Sequence, residues 1–163
     1  MTGTATVASL PKDAVDALAA ELGGPVFEPG ERGYADELDS FDRSVVHHPV
    51  LVVGATTAGD VVAAVRFAAA HRLGVAVQNT GHGVALPADG ALFISTRRMT
   101  GYRVDRQRAT AVLAAGVLWQ DVIATAAEYG LAPAYGARHI GSGPGFVTRE
   151  TLPKVEKYAG QYR

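Results

Sequence analysis

Cysteine is absent from this chain of 163 residues. That excludes disulfides, thiolate metal sites, a cysteine nucleophile and any cysteinyl cofactor link. An excess of charge of one sign is also missing: 15 Lys and Arg stand against 16 Asp and Glu, a net charge of −1 with histidine neutral. No global positive field exists to hold nucleic acid or an anionic membrane, and neither partner is expected. Long apolar runs are lacking too. The longest, such as residues 50–53 and 111–115, are far too short to span a bilayer. The opening residues have neither the basic start nor the long apolar core of a signal peptide, so a cytoplasmic location is expected.

What is present fits a globular fold. Hydrophobic residues make up 48% of the chain and charged residues 19%, which at this length allows one domain with a real core. Glycine (19) and proline (8) are plentiful, so loops matter.

A first helix is expected over residues 11–22, with Pro11 at its start and Val15 and Leu18 on its apolar stripe. Gly23-Gly24 should end it. Residues 25–49 read as a partly irregular connection. The β-branched run Val50-Leu51-Val52-Val53 suits a strand buried on both faces. Thr57 with Asp60 three residues later has the spacing of a capping box. It opens a helix over residues 58–72, with Val61, Val65, Ala68 and Ala69 on one stripe and Gly74 as its stop. Val75-Ala76-Val77 then makes a second strand, completing a βαβ unit whose strands should be parallel. Residues 91–95, 102–104 and 110–114 look like further strands. No helix fits between them, so an antiparallel set is expected, followed by a helix over residues 118–129 stopped by Gly130. The last residues show no clear period beyond a short helix near residues 152–158. The fold class is therefore α+β.

The segment where chemistry belongs is Gln78-Asn79-Thr80-Gly81-His82-Gly83, directly after the βαβ unit. The carboxyl end of a parallel strand is the usual place for ligands in α/β sheets. Glycines there let backbone N–H groups approach a phosphate, with no Cβ in the way. The plain alternative is a tight turn with an exposed histidine.

At this point the chain resembles a known family. Pro49-Val-Leu-Val-Val-Gly-Ala-Thr-Thr, Asp60-Val-Val-Ala-Ala-Val-Arg-Phe-Ala and Val75-Ala-Val-Gln-Asn-Thr-Gly-His-Gly carry the likeness. Asp89-Gly-Ala-Leu-Phe-Ile-Ser-Thr-Arg-Arg-Met, Ala114-Ala-Gly-Val-Leu-Trp-Gln-Asp-Val and Gly130-Leu-Ala-Pro continue it. Together they are similar to the flavin-binding half of berberine-bridge-type FAD-linked oxidases, whose fold is that of vanillyl-alcohol oxidase. The resemblance implies an FAD-binding oxidoreductase that moves hydride from a small-molecule substrate to flavin and is reoxidised by oxygen. It implies that Gln78, Asn79, Thr80, Gly81, His82 and Gly83 wrap the FAD pyrophosphate. It also implies that His82 matches the histidine to which many members attach the flavin. Gly136 and Gly141 match a later part of the flavin site. Gly116 and Trp119 fall on family positions as well, with Trp119 read as core packing and Arg97-Arg98 as solvated surface.

The likeness fades beyond Ser142. The expected organisation is a helical and irregular lead-in over residues 1–48, a partial FAD-binding domain over 49–142, and a divergent tail over 143–163. The substrate domain of the family has no counterpart, so a truncated or altered copy of doubtful own activity is expected, with its catalytic residues unassigned. Rival readings fare worse. The histidines, His47, His48, His71, His82 and His139, show no metal-binding spacing, and no metal is expected. Gly141-Ser-Gly-Pro-Gly lacks the lysine of a phosphate loop, and no Gly-x-Ser-x-Gly nucleophile elbow occurs. The alternative that remains is a non-catalytic βαβ-containing module that binds flavin or another ligand.

Overall fold

The computed structural model describes residues 10–83 and 86–132. It divides into two compact units, Met1–Arg98 and Met99–Arg163. The expectations at Gly136, Gly141 and residues 152–158 lie outside the described residues.

The first unit holds α1 (Lys12–Glu21), β1 (Val26–Phe27), α2 (Tyr34–Leu38), β2 (Leu51–Gly54), α3 (Ala58–Ala70), β3 (Val75–Gln78) and β4 (Leu92–Ser95). Its sheet runs β1-β2-β4-β3. β1 is antiparallel to β2, whereas β4 lies parallel between β2 and β3. This corrects the expectation for residues 91–95. They form the central strand of the parallel sheet, and residues 79–91 lead from β3 to β4 with no helix among those described. The hydrophobic pattern explains why: Leu92, Phe93, Ile94 and Ser95 are all buried, as a strand covered on both faces requires. β1 and α2 also stand where the sequence reads as irregular connection.

Register sorts the two faces. Val52, Phe93 and Ala76 form one row, which packs with Phe27, Tyr34 and Leu38 on the α2 side. α3 contacts β4, and α1 contacts α3. Residues Asp60, Ala63, Ala64 and Ala68 of α3 are buried, while Val62 and Val65 are 48% and 44% exposed. The inner stripe is thus the alanine side rather than the Val61–Val65 side. Small residues let the helix approach the sheet closely, and a stripe chosen by size alone points the wrong way.

The capping box expected at Thr57 and Asp60 is present. Asp60 also ties the helix start to distant chain. Its carboxylate accepts from the Thr56 and Thr57 N–H groups, both threonine hydroxyls, and the Gly23 N–H at 3.1 Å. α3 stops two residues earlier than Gly74 suggests. Leu73 N–H reaches Ala68 O and Arg72 N–H reaches Ala69 O, with Arg72 at φ 57°. That is a Schellman motif with arginine in the left-handed position.

The second unit contains a hairpin, β5 (Tyr102–Asp105) with β6 (Thr110–Leu113), and α4 (Trp119–Ala127). The antiparallel expectation holds for these two strands. Trp119, Val117, Val122 and Ala126 are buried together with Ala109, Ala111 and Leu131, as core packing for Trp119 requires. The Schellman bonds recur after α4, with Gly130 at φ 66°.

Candidate functional site

The carboxyl ends of the three parallel strands end on one register row of Gly54, Ser95 and Gln78. Alternation puts these three on the same face as Val52, Phe93 and Ala76, toward α2. Gln78 is 8% exposed; its Nε2 donates to Asp39 O at 3.3 Å, and its carbonyl accepts from Thr96 N–H at 2.8 Å. Gly54 leaves room for an ion pair. A Cβ there would lie 2.9 Å from Arg98 Nε and 3.2 Å from Glu37 Oε1. Arg98 grips the buried Glu37 through Nε at 2.9 Å and through its terminal nitrogen, and Arg97 donates to Asp36 O at 2.8 Å. The two arginines hold α2 onto the sheet. They are not the freely solvated pair that their sequence suggests.

The chain then turns through residues 79–83. Gly81 adopts φ 66°, a left-handed conformation that glycine takes without cost. A Cβ on Gly81 would collide with Ser40 Oγ and come within 2.9 Å of the Gln78 amide. The loop's carbonyls face inward. Thr80 O accepts from Phe41 N–H at 2.8 Å, while Gly81 O accepts from Asp42 N–H at 3.1 Å and from Ser40 Oγ at 3.0 Å. Among the described residues, the N–H groups of residues 79–83 donate to nothing. The Asp42 carboxylate is engaged by the hydroxyl and N–H of Ser44, which hold it below the usual carboxylate range.

Side chains complete the loop. Asn79 is 9% exposed, and its Nδ2 is buried without a partner among the described residues. Ser95 Oγ, fully buried at the neighbouring strand end, is likewise unpartnered there. Thr80 Oγ1 lies 2.9 Å from His82 Nδ1, both on the exposed side. The structure therefore brings Gln78, Asn79, Thr80, Gly81, His82 and Gly83 into one turn at the sheet's carboxyl edge. Ser40, Phe41 and Asp42, which hold the turn from behind, have no signal in the sequence, because they lie about forty residues away in an irregular stretch.

The other histidines are accounted for separately. His47 and His48 precede β2 and face opposite ways. His47 is buried, accepts from Ala88 N–H at Nδ1 (3.2 Å) and lies 5.4 Å from the Phe93 ring. His48 is exposed and pairs with Asp89 at 3.2 Å. Among the described residues, no three His, Asp or Glu are placed to hold a metal ion. None of the helices there is long and apolar enough to cross a membrane.

This geometry suits a dinucleotide pyrophosphate. A run of free N–H groups stabilises negative charge without lysine. Gly81 lets the turn pack closely against Ser40 and Gln78, and buried unpartnered Asn79 Nδ2 is a donor in want of an acceptor among the described residues. The residues present fit FAD.

Comparison with known proteins agrees. A family described as FAD binding domain matches residues 49–151. The chain is 29% identical over 136 residues to (R)-6-hydroxynicotine oxidase of Paenarthrobacter nicotinovorans, covering 77% of this chain and 30% of that protein. It is 28% identical over 131 residues to an FAD-linked oxidoreductase of Dictyostelium discoideum, covering 79% and 29%. Among solved structures, 6-hydroxy-D-nicotine oxidase of Arthrobacter nicotinovorans superposes with a TM-score of 0.66 at 28% identity, over 71% of this chain and 26% of that one. Carbohydrate oxidase of Microdochium nivale shares the fold, with a TM-score of 0.64 at 21% identity over 76% and 27%. The chain thus spans under a third of the length of the curated relatives it matches. By its matched family, its sheet topology and its carboxyl-edge turn, the chain belongs to the FAD binding domain family, and FAD is its cofactor.

Proposed function

We propose that residues 78–83 form the pyrophosphate cradle of an FAD-linked oxidase, with His82 as the site of covalent flavin attachment. The observation that carries this reading is the hydrogen bonding of the turn. The carbonyls of Thr80 and Gly81 are tied back to residues 40–42, while the N–H groups of residues 79–83 have no acceptor among the described residues. Such a nest favours a diphosphate over a neutral ligand. Asn79 adds a side-chain donor, Ser95 an adjacent hydroxyl, and Gly81 the tight fit of the turn against Ser40. When bound, FAD supplies the two-electron acceptor for oxidation of a small-molecule substrate, with oxygen as the final acceptor. The chain's own residues bind and orient it.

The kinship with nicotine and carbohydrate oxidases supports oxidation of a small organic molecule by the whole polypeptide, and leaves its class open. Competition tests the cradle. In the His82→Ala chain, which cannot attach flavin, FAD should bind, ADP should displace it, and riboflavin, which lacks the diphosphate, should not compete. Displacement by riboflavin but not by ADP would refute the pyrophosphate assignment.

A further inference from the structure

The adjacent histidines His47 and His48 both engage the far end of the connection that carries the cradle. Ala88 N–H donates to His47 Nδ1 at 3.2 Å. His48 N–H donates to Asp89 Oδ1 at 3.0 Å, and the His48 ring lies 3.2 Å from the same oxygen. The His48 carbonyl accepts from Gly90 N–H at 3.0 Å. The near end of the connection is tied to residues 40–42 through the carbonyls of Thr80 and Gly81. One stretch, residues 40–48, therefore holds both ends of the chain between β3 and β4.

The His47 contact has only one sense. A backbone N–H can only donate, so Nδ1 accepts, and the proton of the neutral ring sits on Nε2. Nε2 is buried and has no partner among the described residues. A buried donor without an acceptor is a cost to the fold. Phenylalanine would fill the same space, against the Phe93 ring whose centroid lies 5.4 Å away, without that cost. What phenylalanine lacks is an acceptor for Ala88, which is itself buried beside Val52 and Phe93.

We propose that His47, seconded by the pair of His48 with Asp89, is a positioning residue for FAD. It pins the far end of the connection, so that the N–H groups of residues 79–83 are held ready for the diphosphate. It acts through Ala88 rather than on the cofactor. This rests on the reading of residues 78–83 as the pyrophosphate cradle. The physical cause is chain entropy. A connection fixed at both ends has few conformations to lose when FAD binds. One fixed only at its start has more, and ordering them weakens binding.

The test measures FAD affinity by fluorescence titration in full chains carrying His82→Ala, where binding stays reversible. Melting temperature is read alongside. His47→Phe should weaken FAD binding by about fivefold, the scale of one ordinary hydrogen bond. His47→Asn, whose amide oxygen can take the place of Nδ1, should bind as the parent does. Asp89→Ala, at an exposed position, should weaken binding by about twofold, and it decides the matter alone where His47→Phe does not fold. A merely structural histidine would lower the melting temperature and leave FAD affinity unmoved. Unchanged affinity in His47→Phe or in Asp89→Ala overturns the proposal, as does His47→Asn binding as weakly as His47→Phe. Nitrogen-15 NMR of the chain without cofactor at alkaline pH, assigned with His47→Asn, should find the His47 proton on Nε2; a proton on Nδ1 overturns the proposal. A His82→Ala chain that binds no FAD refutes the cradle and this role with it. One that binds FAD equally with His47 and with phenylalanine there refutes this role alone.

Discussion

Ser40 and Gly81 are fitted to each other. Ser40 Oγ donates to Gly81 O at 3.0 Å, and the space a Gly81 side chain would need is taken by that same oxygen. Gly81→Ala should destabilise the fold by about 3 kcal/mol, from the left-handed strain and the collision together. Ser40→Ala in the same chain removes the collision but not the strain, and should recover about half of the loss. Urea denaturation of the parent, both single variants and the double variant measures this coupling. Strict additivity of the two would mean that the contact does not exist.

Asp60 should make the fold acid-sensitive. Burial alone would raise its carboxyl, but the donors at Thr56, Gly23 and Thr57 overcome that and hold it well below the usual range. Because the folded value lies below the unfolded one, the stabilisation is present above pH ~4 and is lost as pH falls from there. Asp60→Asn should cost about 2 kcal/mol at neutral pH and flatten stability between about pH 5 and pH 2. Denaturation midpoints against pH check this. An equally steep acid limb in the variant would place the sensitivity elsewhere.

Two helices end in the same motif with different residues in the left-handed position, Arg72 after α3 and Gly130 after α4. Arg72→Gly should stabilise the chain by about 1 kcal/mol, and Gly130→Ala should destabilise it by about as much. Thermal melts of both variants read the signs. A loss on Arg72→Gly would show that the arginine side chain contributes more than its backbone strain costs.

Arg98 and Glu37 form a pair in which Glu37 is 2% exposed and Arg98 half-exposed. Arg98→Met strands a buried carboxylate and should cost about 2 kcal/mol, discounted for the arginine's exposure. Glu37→Gln added to Arg98→Met should recover part of that. A double variant no more stable than Arg98→Met would argue against a stranded charge.

Much of this was legible in the residues. The capping box at Thr57 and Asp60, the burial of Trp119 and the turn at residues 78–83 each rest on short-range spacing, which a sequence displays directly. What escaped rests on partners distant in the chain. Nothing near Leu92 reveals that it pairs with both Leu51 and Val75, so β4 read as part of an antiparallel set. Arg97 and Arg98 look solvated until α2 supplies Glu37 and Asp36, sixty-one residues away. Arg72 carries no sign of a helix stop in the sequence, where Gly74 offers a more usual residue two positions later. Ser40 reads as an ordinary loop residue until Gly81 is folded against it.

The most direct measurement is the visible spectrum of the purified chain after incubation with FAD, repeated on the acid-precipitated pellet and supernatant, for the parent and His82→Ala. The expected result is a yellow pellet from the parent and, from His82→Ala, flavin released wholly into the supernatant. A parent that stays colourless contradicts the cradle at residues 78–83, and a yellow pellet from His82→Ala contradicts the attachment at His82.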